Sequence, residues 1–345
     1  MIEERKLEMV ATASVRVMSA EEIAARAGGQ TPFLLWPERA TLFAEREMRL
    51  RQLARGHAME DFLGFMAELA HAQHEALASF PSVPLPDGAA LDQAARLGVP
   101  PLPAVDWPRD PAWRQALRSL LHALRDRAPE TAREVIDRIA QADDDWLEAQ
   151  ADCLLTGVMK GLDLAGAPLV AAALQVYWTH LVLAVQAGAS SGGQPFGRID
   201  DETVCPCCGS RPVASVTRTS GESLGQRYLT CSLCATQWHM VRIKCSHCLS
   251  TKSLAYQALQ DAKAEGSEGV AGASVQAETC EDCGHYLKIV HTDRDPMVGA
   301  VADDLATLTL DLLVSETGKR RHGVNLMLLF GDPGPEETPP DPGEA

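Results

Sequence analysis

Four Cys-x-x-Cys pairs constrain this chain more than any other feature: Cys205/Cys208, Cys231/Cys234, Cys245/Cys248 and Cys280/Cys283. A turn of this kind points two thiolates at one cation while its backbone N–H groups hydrogen-bond to the sulfurs, and two such turns complete a tetrahedron. Each pair is therefore half of a site. Between Cys208 and Cys231 lie 22 residues and between Cys248 and Cys280 lie 31, but only 10 separate Cys234 from Cys245. The spacing groups the first pair with the second and the third with the fourth. An interleaved, cross-braced grouping stays open on spacing alone.

Disulfides are the competing use of so many cysteines. The start, Met1-Ile-Glu-Glu-Arg-Lys-Leu-Glu8, is charged at once and lacks the apolar core of a secretory signal, so the chain is expected in the reducing cytoplasm. There, paired cysteines read as metal ligands. A formal net charge of −16 argues against a general nucleic-acid or anionic-membrane binder, which needs a cationic surface. Residues 162–187 are the most apolar stretch, but Gln175, His180 and Gln186 interrupt it. A buried bundle helix is expected there, not a membrane span.

The expected organisation is α+β. Residues 1–35 show little periodicity and read as a loosely ordered arm, followed by a helical domain over 36–198. In it, a helix opened by Pro37 carries Leu42, Phe43, Leu50 and Leu53, and a second carries Phe62, Met66, Leu69 and Gln73 at three- and four-residue steps. Eight prolines between Pro81 and Pro111 read as a long surface connection without an element of its own. Helical spacing resumes with Trp113, Leu117, Leu120, Leu121 and Leu124, continues through Ile136 and Ile139, and resumes after Asp143-Asp144-Asp145. The small-residue run 187–197 reads as the main linker. Beyond it, short β-branched runs with cysteines at their turns suggest two rubredoxin-like metal-ribbon modules, 199–244 and 245–330, the second ending in a helix begun at Asp303-Asp304. Residues 331–345 read as a disordered tail.

Two thiols remain outside the pairs. Cys207 lies inside the first knuckle with its side chain expected to point away from the metal, and Cys153 reads as a buried small hydrophobe on a helix. His239, His247, His285 and His291 fall near the modules and are expected to pack beside complete four-cysteine shells. Trp238 is expected to cover a cluster's flank. No catalytic residues are assigned, since neither a phosphate-cradling glycine loop nor a Ser/His/Asp or metalloprotease pattern is present, and Asp303 and Asp304 read as a helix cap. The chain is thus expected not to be an enzyme.

The residues around the cysteines carry a resemblance. Cys205-Pro-x-Cys-Gly-Ser-x-Pro212, Arg227-Tyr-Leu-x-Cys-x-Leu-Cys-x-Thr-x-Trp-His239, Val241-Arg-x-Lys-Cys245, Cys283-Gly-His-Tyr-Leu-Lys288 and Ala302-Asp-Asp-Leu-Ala306 resemble the FdhE family of formate dehydrogenase accessory proteins. So do Ala173-Leu-Gln-Val-Tyr-Trp178 and Leu42-Phe-x-x-Arg46 with Arg49-Leu50, extending the likeness over roughly residues 35–330. The resemblance implies a cytoplasmic assembly factor for respiratory formate dehydrogenase that contacts the catalytic subunit before export by the twin-arginine route. It also implies two rubredoxin-like iron ions on the eight paired cysteines, zinc being the alternative metal. Cys207 and the absence of a glycine at Leu249 depart from the usual knuckle, and the insert around 265–273 reads as a variable loop.

Two other functions compete. A zinc ribbon binding nucleic acid or another protein is the first, but residues 201–295 hold nine Lys and Arg against eleven Asp and Glu, where a phosphate-binding ribbon should be basic. The second is a dithiol oxidoreductase, which needs a free low-pKa cysteine at a helix start. Homodimer formation is left open.

Overall fold

The computed structural model describes residues 5–10, 31–188, 195–218, 225–261 and 272–329. The rest of the arm, most of the linker, most of the insert and the tail lie outside the described residues.

Seven helices precede the sheet region among the described residues: α1 (Leu42–Ala54), α2 (Glu60–Ala78), α3 (Gly88–Leu97), α4 (Ala112–Arg125), α5 (Glu130–Ala140), α6 (Asp144–Thr156) and α7 (Ala167–Gly188). In α4 the residues Trp113, Leu117, Leu120, Leu121 and Leu124 are all buried, the single stripe that their spacing requires. At the start of α6, the Asp143 carboxylate accepts from Trp146 N at 2.7 Å, and Gly157 ends the helix in a left-handed conformation. Helix α7 is apolar and buried nearly all round. It is the one helix among the described residues long and apolar enough to cross a membrane, yet 83% of its apolar window is buried inside the protein. That is the burial of a core helix.

The proline-rich stretch is not only a surface connection. Asp87 caps α3 through Ala90 N at 2.8 Å, and Gly98 closes it at φ +63. A side chain at Gly98 would be strained by the left-handed backbone, and its Cβ would also push the Asp200 carboxylate aside. After α3 the chain turns inward, so that Leu102 and Ala104 are buried. The first helix also differs slightly: it begins at Leu42 behind a turn, not at Pro37.

The C-terminal half is built on one nine-stranded sheet. Its strands are β1 (Arg5–Val10), β2 (Leu34–Leu35), β3 (Pro212–Thr217), β4 (Arg227–Cys231), β5 (Gln237–His239), β6 (Leu254–Asp261), β7 (Val275–Cys280), β8 (His285–His291) and β9 (Arg320–Arg321). The order is β1-β6-β7-β8-β3-β4-β5-β2, with β9 added on β8. Most neighbours are antiparallel, but β3 and β8 pair parallel, Ser215 opposite Ile289, and this pairing joins the two cysteine-bearing halves into one sheet. Residues 5–10 of the expected loose arm form the edge strand β1 against β6, with Leu7 opposite Leu259. Two short helices, α8 (Ala302–Ala306) and α9 (Leu308–Glu316), follow the sheet where one was expected.

One hydrophobic core crosses from helices to sheet. Leu50, Leu69, Trp113 and Leu181 belong to the same buried cluster as Cys205, Cys231, Trp238 and Leu287.

Candidate metal centres

Each cysteine pair sits on the same local device. The residue after the second cysteine is left-handed in all four knuckles: Gly209 (φ +75), Ala235 (φ +59), Leu249 (φ +62) and Gly284 (φ +69). The first cysteine of a knuckle is tied to the residue five further on, as in Cys205 N to Ser210 O (2.9 Å), Cys231 N to Thr236 O (2.9 Å) and Cys245 N to Ser250 O (2.8 Å). Leu249 therefore adopts the knuckle conformation without the glycine, at a cost of about 1–2 kcal/mol for a side chain in the left-handed region.

The knuckles meet in two clusters. The sulfurs of Cys205, Cys208, Cys231 and Cys234 lie within 4.8 Å of one another, and so do those of Cys245, Cys248, Cys280 and Cys283. In the first, Cys205 and Cys234 are 3.6 Å apart, Cys208 and Cys231 3.4 Å, and Cys208 and Cys234 3.7 Å. In the second, Cys245 and Cys283 are 3.9 Å apart and Cys248 and Cys280 3.8 Å. Four sulfurs at about 2.3 Å from a tetrahedral ion stand about 3.8 Å apart, so both clusters fit a single ion. Backbone N–H groups already point at the sulfurs: Leu233 N and Cys234 N reach Cys231 Sγ, and His247 N reaches Cys245 Sγ, each at 3.4 Å.

The environments differ. All four cysteines of the first cluster are buried, whereas Cys248 of the second is exposed and Cys283 half-buried. Two polar residues of α7, Gln175 and Thr179, secure the first cluster. Gln175 Nε2 donates to Ser232 O at 2.7 Å, and Thr179 Oγ1 donates to Cys234 O at 3.4 Å. Behind Gln175, its Oε1 accepts from Arg46 Nη1 (3.1 Å) and Gln73 Nε2 (2.9 Å). Burial pulls the Arg46 guanidinium down to about 10, still charged at neutral pH. From the other side, Leu102 N donates to Cys207 O at 3.0 Å and Ala104 N to Cys208 O at 2.8 Å, while Trp178 Nε1 holds Leu102 O at 3.2 Å. The helical domain thus clamps both knuckles of the first cluster.

Burial pushes the Cys205 and Cys231 thiols well up. Cys234 goes the other way: burial raises it, but hydrogen bonds from Cys205, Cys207, Cys208 and Cys231 outweigh burial and pull it down. Four thiolates in so dry a place call for a cation to offset them. At the second cluster burial likewise raises Cys245 and Cys283. Cys248 is lowered, because its backbone hydrogen bond at Ser250 and its cysteine neighbours outweigh the little burial it has.

The remaining candidates fall in several places. Cys207 is fully buried, which pushes its thiol well up, and its sulfur lies outside the group of four. Cys153 is half-buried on α6, its thiol 3.8 Å from Lys160 O, and lines a cavity of about 440 Å³ beside the first knuckle. His239 is paired with Gln226 Oε1 at 3.0 Å and His291 with Gln276 Oε1 at 2.7 Å. Trp238 is buried against the core, its Nε1 donating to Glu202 O at 3.1 Å. His247 and His285, by contrast, group with Cys283.

Asp303 and Asp304 are not a helix cap: the N-cap of α8 is Val301, and the two aspartates lie in the first turn. Both are buried: Asp303 pairs with Arg49 at 2.6 Å, and Asp304 with Lys288 at 3.1 Å and Arg321 at 2.8 Å. A further buried pair, Arg227 with Glu278 at 2.7 Å, ties β4 to β7. Such pairs between positions far apart in sequence carry no local signal.

Models of the FdhE N-terminal, central and C-terminal domains match residues 31–192, 204–242 and 243–328. A protein named FdhE homolog from Serratia proteamaculans (strain 568) is 39% identical over 323 residues, covering 92% of this chain and 99% of its own. Protein FdhE of Shigella boydii serotype 18 is 35% identical over 322 residues, covering 92% of this chain and 99% of its own. The crystal structure of the FdhE protein from Pseudomonas aeruginosa superposes with a TM-score of 0.72 at 37% identity, over 87% of this chain and all of that one.

Proposed function

Because the chain belongs to the FdhE family, we propose that it is a cytoplasmic maturation factor for respiratory formate dehydrogenase, binding the catalytic subunit before twin-arginine export. The supporting observation is a pair of four-sulfur clusters, one sealed against the helices and one open at the surface, in a chain matched along its length by the family's models. In this reading Cys205, Cys208, Cys231 and Cys234 hold one iron ion and Cys245, Cys248, Cys280 and Cys283 a second. Tetrahedral thiolate sulfur suits a single iron, as it suits zinc. Iron so bound exchanges one electron between its ferric and ferrous states.

The chain's own residues supply the frame. The clamp from α7 and the 102–104 segment fixes the first cluster as a structural anchor, while the half-open second cluster faces the surroundings. The segments 36–198, 199–244 and 245–330 act as scaffold, first module and second module. The chain performs no catalysis of its own in this reading. Its acidity leaves nucleic acid out of the partner list.

The test is capture of the client. Immobilised full-length chain, purified without oxygen, should retain the metal-free precursor of the formate dehydrogenase catalytic subunit, and its visible spectrum should show ferric thiolate absorption from two irons. Failure to retain the precursor removes the maturation reading. A colourless chain with two zinc ions removes the iron assignment alone.

A further inference from the structure

The surroundings of the second cluster contain more ligand chemistry than four cysteines use. A ring nitrogen of His247, a ring nitrogen of His285 and Cys283 Sγ lie within 4.8 Å of one another, and none of the three residues is buried, so all are within reach of solvent. The two imidazoles face each other at 3.9 Å and 16°. His285 Nδ1 is 2.8 Å from Cys283 O, and because a carbonyl only accepts, Nδ1 carries the proton and Nε2 keeps its lone pair. A third ring, His322, packs edge-on to His247 at 4.9 Å; it is 6% exposed, and its Nε2 has no hydrogen-bond partner among the described residues. A buried nitrogen without a partner is costly and asks for an explanation.

We propose that His247, His285 and Cys283 form a third metal site, sharing the Cys283 sulfur with the second four-cysteine cluster, for a divalent ion of the zinc or cobalt type. Two imidazoles and one thiolate are the donor set such ions prefer, and three protein ligands with solvent in the fourth position make an open site rather than a closed structural one. Four thiolates around one divalent ion leave net negative charge, which draws a second cation to the shared sulfur. In the stacked arrangement the in-plane lone pairs run side by side, so capture requires one ring to turn about χ2, which half-exposed rings can do. Among the described residues the first cluster has no equivalent group, since His239 is engaged by Gln226.

This inference goes beyond the maturation reading and needs no client. The untagged full-length chain, anaerobic and with both cysteine clusters filled, is dialysed against cobalt(II), and total metal per chain is counted together with the cobalt absorption bands. Three ions per chain are expected, with a thiolate-to-cobalt band. His247→Asn and His285→Asn, singly and together, should weaken the third ion by about tenfold or more, with the first two retained; the single variants decide the matter if the double variant disturbs the cluster. Saturation of the native chain at two ions overturns the proposal. So does a third ion that binds equally well in both single variants, which places it on other surface histidines. A chain that fails to hold the first two ions instead counts against the four-cysteine assignment, a distinct result.

Discussion

Arg49 on α1 grips Asp303 on α8 with two hydrogen bonds, Nε to Oδ2 at 2.9 Å and Nη2 to Oδ1 at 2.6 Å, and both side chains are buried. A third bond runs from Nη2 to Asp295 Oδ2 at 2.7 Å. This pairing ties the helical domain to the end of the second module. Removing one partner strands the other as a buried charge, so Arg49→Ala should cost about 3–5 kcal/mol in urea unfolding. A cost below about 1 kcal/mol would show the pair to be solvated and the two parts held otherwise.

Glycine at the fourth knuckle should matter through backbone alone. Gly284 is left-handed, and nothing lies within 4 Å of a Cβ built there. Gly284→Ala should therefore destabilise the second module by about 1 kcal/mol, read as faster metal release to a chelator. Unchanged release would mean that the knuckle tolerates a side chain at this φ, as it does at Leu249.

Much of this arrangement was legible in the sequence. The Cys-x-x-Cys spacing gave the grouping of knuckles that the structure displays, and the α4 stripe of Trp113, Leu117 and Leu121 reads directly as a buried helix face. What escaped was set by distant partners. Strand β7, Val275–Cys280, alternates apolar and polar residues as a half-solvated strand would, but Gln276 is buried with His291 and Glu278 with Arg227. The 81–111 stretch hid α3 because its prolines outweighed the Asp87 start and Gly98 stop signals, and its inward turn depends on the Cys207 and Cys208 carbonyls, more than a hundred residues away. Residues 5–10 show no periodicity because their place in the sheet comes from pairing with β6.

His180 should make stability pH-dependent. Burial, with a smaller push from the Arg39 charge, lowers its imidazole to about 4, and its Nδ1 lies 3.2 Å from Arg39 Nη2, which can only donate. The unfolded chain has a value of about 6.5, so the neutral ring contributes stability that is full above that pH and is lost as pH falls toward 4. The unfolding midpoint of His180→Gln should therefore fall less steeply between pH 7 and pH 4.5 than that of the native chain. Equal slopes would show that His180 is not held neutral.

The two clusters should react in order. Cys248 is exposed, while Cys205, Cys208, Cys231 and Cys234 are buried. Under mild alkylation followed by mass spectrometry, Cys248 should be modified first and the first cluster's cysteines last. Labelling of Cys231 at a rate comparable to Cys248 would contradict the clamp by α7.

The most direct test of the central claim is metal content in paired variants of the full-length chain purified anaerobically. As purified, with no metal added, two ions per chain are expected in the native protein and one in either Cys231→Ser/Cys234→Ser or Cys245→Ser/Cys248→Ser, each variant losing a different ion. Native protein with no stoichiometric metal, or both ions surviving either pair of substitutions, would contradict the assignment of two four-cysteine centres.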